Sequence, residues 1–138
     1  MKILATIGFL FLGGCASHQV TQPLPFFPQA APPLPGGLKE VRLLMGFGGE
    51  LVVENDCVKL RYRKGQQSTT VIWHQGLELG RDKIGLFIRN SHTGGITRFN
   101  VPVKVGGGDA LPEYVQRAYP EVARRCGPPY ALGYPADD

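Results

Sequence analysis

Prolines divide this chain. Six of the twelve fall between Val20 and Gly37, at Pro23, Pro25, Pro28, Pro32, Pro33 and Pro35. Each fixes φ and removes a backbone donor, so neither a helix nor a central strand fits the stretch. Extended polyproline geometry is the expectation, and at ~3.1 Å per residue such a spacer reaches on the order of 50 Å. Phe26 and Phe27 are unusual in a plain spacer, and two readings are open for them: packing on the folded part, or dipping into a lipid interface. Beyond the prolines, roughly 100 residues from Leu38 to Asp138 remain for a single small domain with a modest core. Fourteen of the nineteen glycines lie there, and they favour turns and short strands over long helices.

The residues ahead of the prolines have a different character. Met1-Lys2 supplies a positive charge, Ile3 to Leu12 an apolar run, and Gly13-Gly14 two small residues. Residues 1–14 thus have the layout of a secretory signal peptide, and the run is too short to span a bilayer as a helix. Leu12-Gly13-Gly14-Cys15 resembles the lipobox of bacterial lipoproteins. The resemblance covers only the leader. It implies cleavage before Cys15, a diacylglycerol on its thiol and often an acylated new amino group, with 15–37 as lipidated Cys and tether. Two or three acyl chains anchor a protein firmly where one holds it only marginally. Ala16 stands where an Asp tends to retain Gram-negative lipoproteins in the inner membrane, so the resemblance implies the outer membrane, on its periplasmic face.

In the body, Glu50–Glu54, Cys57–Arg63, Thr69–His74, Ile84–Arg89 and Ile96–Val105 read as short strands from their alternation and β-branched content. Pro102 marks an edge or a bulge. Leu111 to Arg125 changes to three- and four-residue apolar spacing, which predicts a helix. Asp109 is a candidate cap, Pro112 suits the first turn, and Pro120 breaks the helix into two pieces. The tail after Cys126 returns as a short strand or stays loose. Strands at this spacing predict a mainly β fold, a small antiparallel barrel or rolled sheet (OB-like) with one short C-terminal helical segment.

With Cys15 lipidated, Cys57 and Cys126 remain, and an exported protein with two cysteines most often pairs them. Their spacing is not that of a redox Cys-x-x-Cys motif. The formal charge is +4, and the densest basic run is Lys59, Arg61, Arg63 and Lys64. Alternation puts Lys59, Arg61 and Arg63 on one strand face. That face is read as solvated, with contact to anionic lipid or polysaccharide as the sharper reading. Nucleic acid is not expected, because a chain with an export leader rarely meets it.

Signals for chemistry are weak. Gly106-Gly107-Gly108-Asp109 reads as a tight strand-to-helix turn needing positive φ, not a phosphate cradle, because no Gly-Lys-Ser/Thr follows. His18, His74 and His92 have no metal-ligand spacing. Ser68, Ser91, His74 and Asp82 make an arbitrary triad without a nucleophile elbow. Glu50, Glu54, Glu78 and Asp82 sit in ordinary surface contexts. Trp73 is a core residue or a stacking platform for sugar, and with Lys59, Arg61 and Arg63 it completes the candidate binding surface. No cofactor, metal or catalytic residue is expected.

The body also resembles small secreted bacterial domains in which a Gly-x-Leu strand (here Gly49-Glu50-Leu51) runs into a Cys (Cys57), followed by an Ile-Trp segment, a Gly-Gly-Gly turn and a final Cys-Gly-Pro. This likeness implies a β-rich fold and a disulfide, and no chemistry. The expected function is non-enzymatic binding or scaffolding by a monomeric envelope lipoprotein whose partner is an envelope protein or a cell-wall glycan. The alternatives are a small hydrolase of cell-wall material, an inhibitor of foreign glycosidases, and a secretion-system accessory.

Overall fold

The computed structural model describes residues 22–31, 46–62 and 65–135. The leader, Cys15 and Arg63 lie outside the described residues. Strand β1 (Gly46–Glu54) turns into β2 (Cys57–Arg61) through Asn55 and Asp56, at φ 51° and 60°. This two-residue hairpin needs positive φ at both positions, which short polar side chains tolerate. Then come β3 (Thr70–Trp73), β4 (Leu77–Arg81), β5 (Leu86–Asn90), β6 (Ile96–Arg98), β7 (Pro102–Ala110), α1 (Pro112–Ala118), α2 (Pro120–Cys126) and β8 (Tyr130–Pro135).

Two sheets form, one in the order β2-β1-β7-β8-β3 and one in the order β4-β5-β6. The larger is strongly curled into a half-barrel. Its two edges touch where Leu60 and Thr69 exchange a pair of backbone hydrogen bonds of 2.8 Å. The mainly β, rolled architecture with a C-terminal helical region follows the expectation, with local differences. The β3–β8 pair is parallel. Strand β4 falls where no strand was expected. Asp109 does not cap α1: it lies within β7, and Leu111 holds the cap position with no side-chain bond. Pro112 opens α1, and Pro120 separates the two helices as expected.

The glycine run is also corrected. Gly106, Gly107 and Gly108 form no turn but pair with Tyr134, Gly133 and Leu132 inside the β7–β8 ladder. At Gly107, φ is 147° and a side chain would run into the Leu132 carbonyl. At Gly106 a Cβ would lie 2.6 Å from the Tyr134 ring, which covers that position. Close approach, not reversal of the chain, excludes side chains here.

Alternation along β3 explains why all four of its residues are buried. Val71 and Trp73 point into the curl, where they join Leu51, Leu60, Leu77, Ile88, Val105 and Ala131. Ile72 points the other way, into a second cluster with Val115, Val122, Tyr130 and the disulfide between Cys57 and Cys126. That bridge ties β2 to the end of α2 across 69 residues.

The proline stretch needs the largest correction. Residues 22–31 are extended, but they are seated on the fold as a strap and do not stand off as a spacer. Phe26 donates to the Asp56 carbonyl (2.7 Å) and accepts from Val58 (2.9 Å), alongside β2. Pro28 accepts from Trp73 (2.9 Å) and Ala30 donates back to Trp73 (2.8 Å), alongside β3. Prolines cannot donate, but their carbonyls accept, and the residues between them supply the donors. Pro28 is fully buried, Phe27 stacks on Trp73 at 6.1 Å, and the Arg125 guanidinium sits 4.0 Å from the centre of the Phe26 ring. Both phenylalanines therefore pack on the folded part. The strap also bonds the smaller sheet, Gln29 donating to the Leu77 carbonyl and Arg81 to the Gln22 carbonyl at 3.1 Å.

Candidate functional site

A groove of about 740 Å³ opens between the two sheets. Its floor is the β1–β7 ladder, where Gly48, Gly49 and Glu50 pair with Lys104, Val103 and Pro102. One wall is β6 with Val101; Tyr62 and Pro135 complete the lining. The glycines keep the floor low. At Gly49 a Cβ would sit 2.6 Å from the Arg61 carbonyl, so the β1–β2 approach itself demands glycine. At Gly48 the nearest atom would be 3.6 Å away, an ordinary contact, so a side chain fits there and would only fill the groove.

The lining mixes apolar surface with a few charges. Ile96 and Val101 are exposed, at 52% and 43%. Tyr62 is braced edge-on by Phe47 at 5.8 Å. Glu50 is held by Arg61 at 3.2 Å, and Arg98 by Asp82 through two hydrogen bonds of 2.8 and 2.7 Å. Lys104 makes no ion pair with a described residue. The Arg98 bonds, helped by the Ile84 and Gly85 amides, hold the Asp82 carboxyl well below the usual carboxylate range; Asp82 in turn raises the Arg98 guanidinium. Away from the groove, burial pushes up the Tyr119 and Tyr130 hydroxyls.

The described residues singled out from sequence do not assemble into a binding surface. Trp73 is fully buried and Lys59 is 7% exposed. Arg61 is half-buried and occupied by Glu50. Alternation correctly puts Lys59 on one face with Arg61, but that is also the face of Cys57, and at Lys59 it is covered rather than solvated. The triad residues have separate partners. Ser68 donates to Glu54 (2.7 Å), Ser91 donates to the Gly76 carbonyl (2.8 Å), His74 meets the Tyr134 ring edge-on and Asp82 is taken by Arg98. No cluster of His, Cys, Asp and Glu among the described residues could hold a metal. Lys104, Thr97 and Val101 were missed because the groove joins segments that only the fold brings together; Gly48-Gly49, next to an alternating strand, was the one available signal. No protein family, curated protein or solved structure matches the chain.

Proposed function

We propose that this protein is an envelope lipoprotein, anchored through Cys15 to the periplasmic face of the outer membrane, that binds a partner in the groove between β6 and the β1–β7 ladder. The carrying observation is the composition of that groove: exposed apolar side chains around Lys104, whose charge no described residue engages, while Glu50 and Arg98 are occupied. An open trough suits an extended chain, and an ammonium that no described residue engages suits one that carries carboxylates. A segment of an envelope protein and a peptide-bearing cell-wall glycan both meet that description. The lipobox-like Leu12–Cys15 supports the anchor, and the Cys57–Cys126 bridge suits an oxidising compartment.

The test is a photo-crosslinking residue at Thr97 or Val101 in living cells, compared with one at Leu111, outside the groove. Adducts specific to the groove positions and lost in Lys104→Glu are expected, and their mass tells protein from glycan. Adducts equal at all three positions would sink the groove as the binding site. For the anchor, Cys15→Ser should abolish incorporation of labelled palmitate; label persisting in that variant would overturn it.

A further inference from the structure

We propose that the turn joining β4 to β5, with Arg81 beside it, is the face this protein lays against an anionic bilayer. The inference rests on the anchor reading of Cys15 and adds an orientation to it. The strap begins at the turn, because the Gln22 carbonyl accepts from Arg81 at 3.1 Å, at the last residue of β4. Seven peptide steps separate Cys15 from Gln22, and fully extended they span at most about 25 Å. A lipid on Cys15 therefore keeps this end of the molecule within a short reach of the membrane, whatever path those residues take.

What the turn presents fits that neighbour. Ile84 is 81% exposed, more than any other large hydrophobic residue described. It is held out by a rigid tip: the Asp82 carboxylate accepts from the Ile84 and Gly85 amides at 2.9 and 3.1 Å, and the Asp82 amide donates to Gly85 at 3.1 Å. Leu24, two residues along the strap, is 47% exposed. Arg81 and Lys83 flank the tip, both exposed and neither ion-paired with a described residue. The acid between them is neutralised by Arg98. One apolar side chain on a stiff turn, flanked by two cations that no described residue ion-pairs, is the chemistry that anionic lipid headgroups recognise.

The full-length acylated protein, reconstituted in vesicles with and without phosphatidylglycerol, tests this. A bimane fluorophore is placed on Ile84→Cys or on Ile96→Cys, which sits opposite Arg89 toward the other end of the same small sheet. Both positions are exposed, so neither label disturbs packing. Nitroxide-labelled lipid should quench the Ile84 label several-fold more than the Ile96 label. Combining Arg81→Glu with Lys83→Glu, or omitting phosphatidylglycerol, should bring the two labels close to equal. Equal quenching in the unaltered acylated protein overturns the proposed face while leaving the anchor standing. Preferential Ile84 quenching that ignores both charge reversal and lipid charge overturns the anionic-lipid match. Absence of palmitate from the preparation overturns the anchor, and the face with it.

Discussion

The strap at 22–31 and the tail that becomes β8 have similar compositions and different structural roles. Both are short, carry three prolines and carry two aromatic residues. The tail lies inside the sheet, laddered to β7 on one side and β3 on the other. Among the described residues, the strap makes one pair of backbone–backbone bonds beside β2 and one with β3. The position of the prolines accounts for the difference. In the tail they stand at Pro128, Pro129 and Pro135, leaving five consecutive donors between. In the strap they recur at Pro23, Pro25 and Pro28, so no such run of donors exists. A proline count does not separate linker from structure; the longest stretch free of proline is more informative.

Moving a proline is the strongest way to break this comparison. Leu132→Pro places one in the middle of β8 and should abolish cooperative unfolding and near-ultraviolet dichroism. Leu24→Pro adds a fourth to the described strap at an exposed position and should change stability by less than about 0.5 kcal/mol. If both are tolerated, the ladder argument fails.

Removing the bridge ranks next. Cys57 is where Phe26 of the strap docks, and Cys126 is the last residue of α2, one turn before the tail. Cys57→Ser with Cys126→Ser frees both segments. Given the 69-residue separation, the chain-entropy estimate is roughly 4 kcal/mol. The expected fall in Tm is on the order of 20 °C.

Phe27→Ala removes the ring stacked on Trp73 but leaves the strap's backbone bonds in place. The expected loss is about 2 kcal/mol, below the range for a fully buried Phe because Phe27 is only half-buried. Truncation to Leu38 should be worse, exposing Trp73 and the β2–β3 seam together, and should aggregate where a chain begun at Ala16 stays soluble. No change in either experiment would return the strap to the status of a spacer.

The smallest effect is at the turn the strap touches first. Asp82 has a folded-state pKa below its ordinary 3.8. Its contribution is therefore fully present above that value and is lost as pH falls below 3.8 toward the folded pKa. Thermal melts from pH 7 down to pH 2 should show a shallow acid loss that Asp82→Asn flattens.

Much of the sheet was legible. The alternation and β-branched content around Leu51, Val58 and Val71 marked β1, β2 and β3, and the two cysteines of the body marked the bridge. The groove, β4 and the strap were not legible, for separate reasons. Strand β4 has a glycine at Gly80 where the alternation should continue, and only the Phe87 ring lying over it shows what fills the gap. Lys59 looks solvated in sequence because alternation says which residues share a face, not which face other segments cover. The strap's seat does not exist until β2 and β3 diverge beyond Leu60 and Thr69, and no local pattern encodes that divergence.

The parallel pairing of Thr70–Trp73 with Tyr130–Gly133 has a consequence for the order of assembly. A chain made from its N-terminus presents the strap first, yet one wall of the strap's seat, β3, has no partner strand until β8 is made, some sixty residues later. The β1–β2 hairpin can form while the chain is still being made. The half-barrel cannot close until β8 is in place, and such non-local pairing folds slowly. Until that pairing forms, the chain carries two bare strand edges and an unburied tryptophan, so its most vulnerable interval is the one before β8 docks.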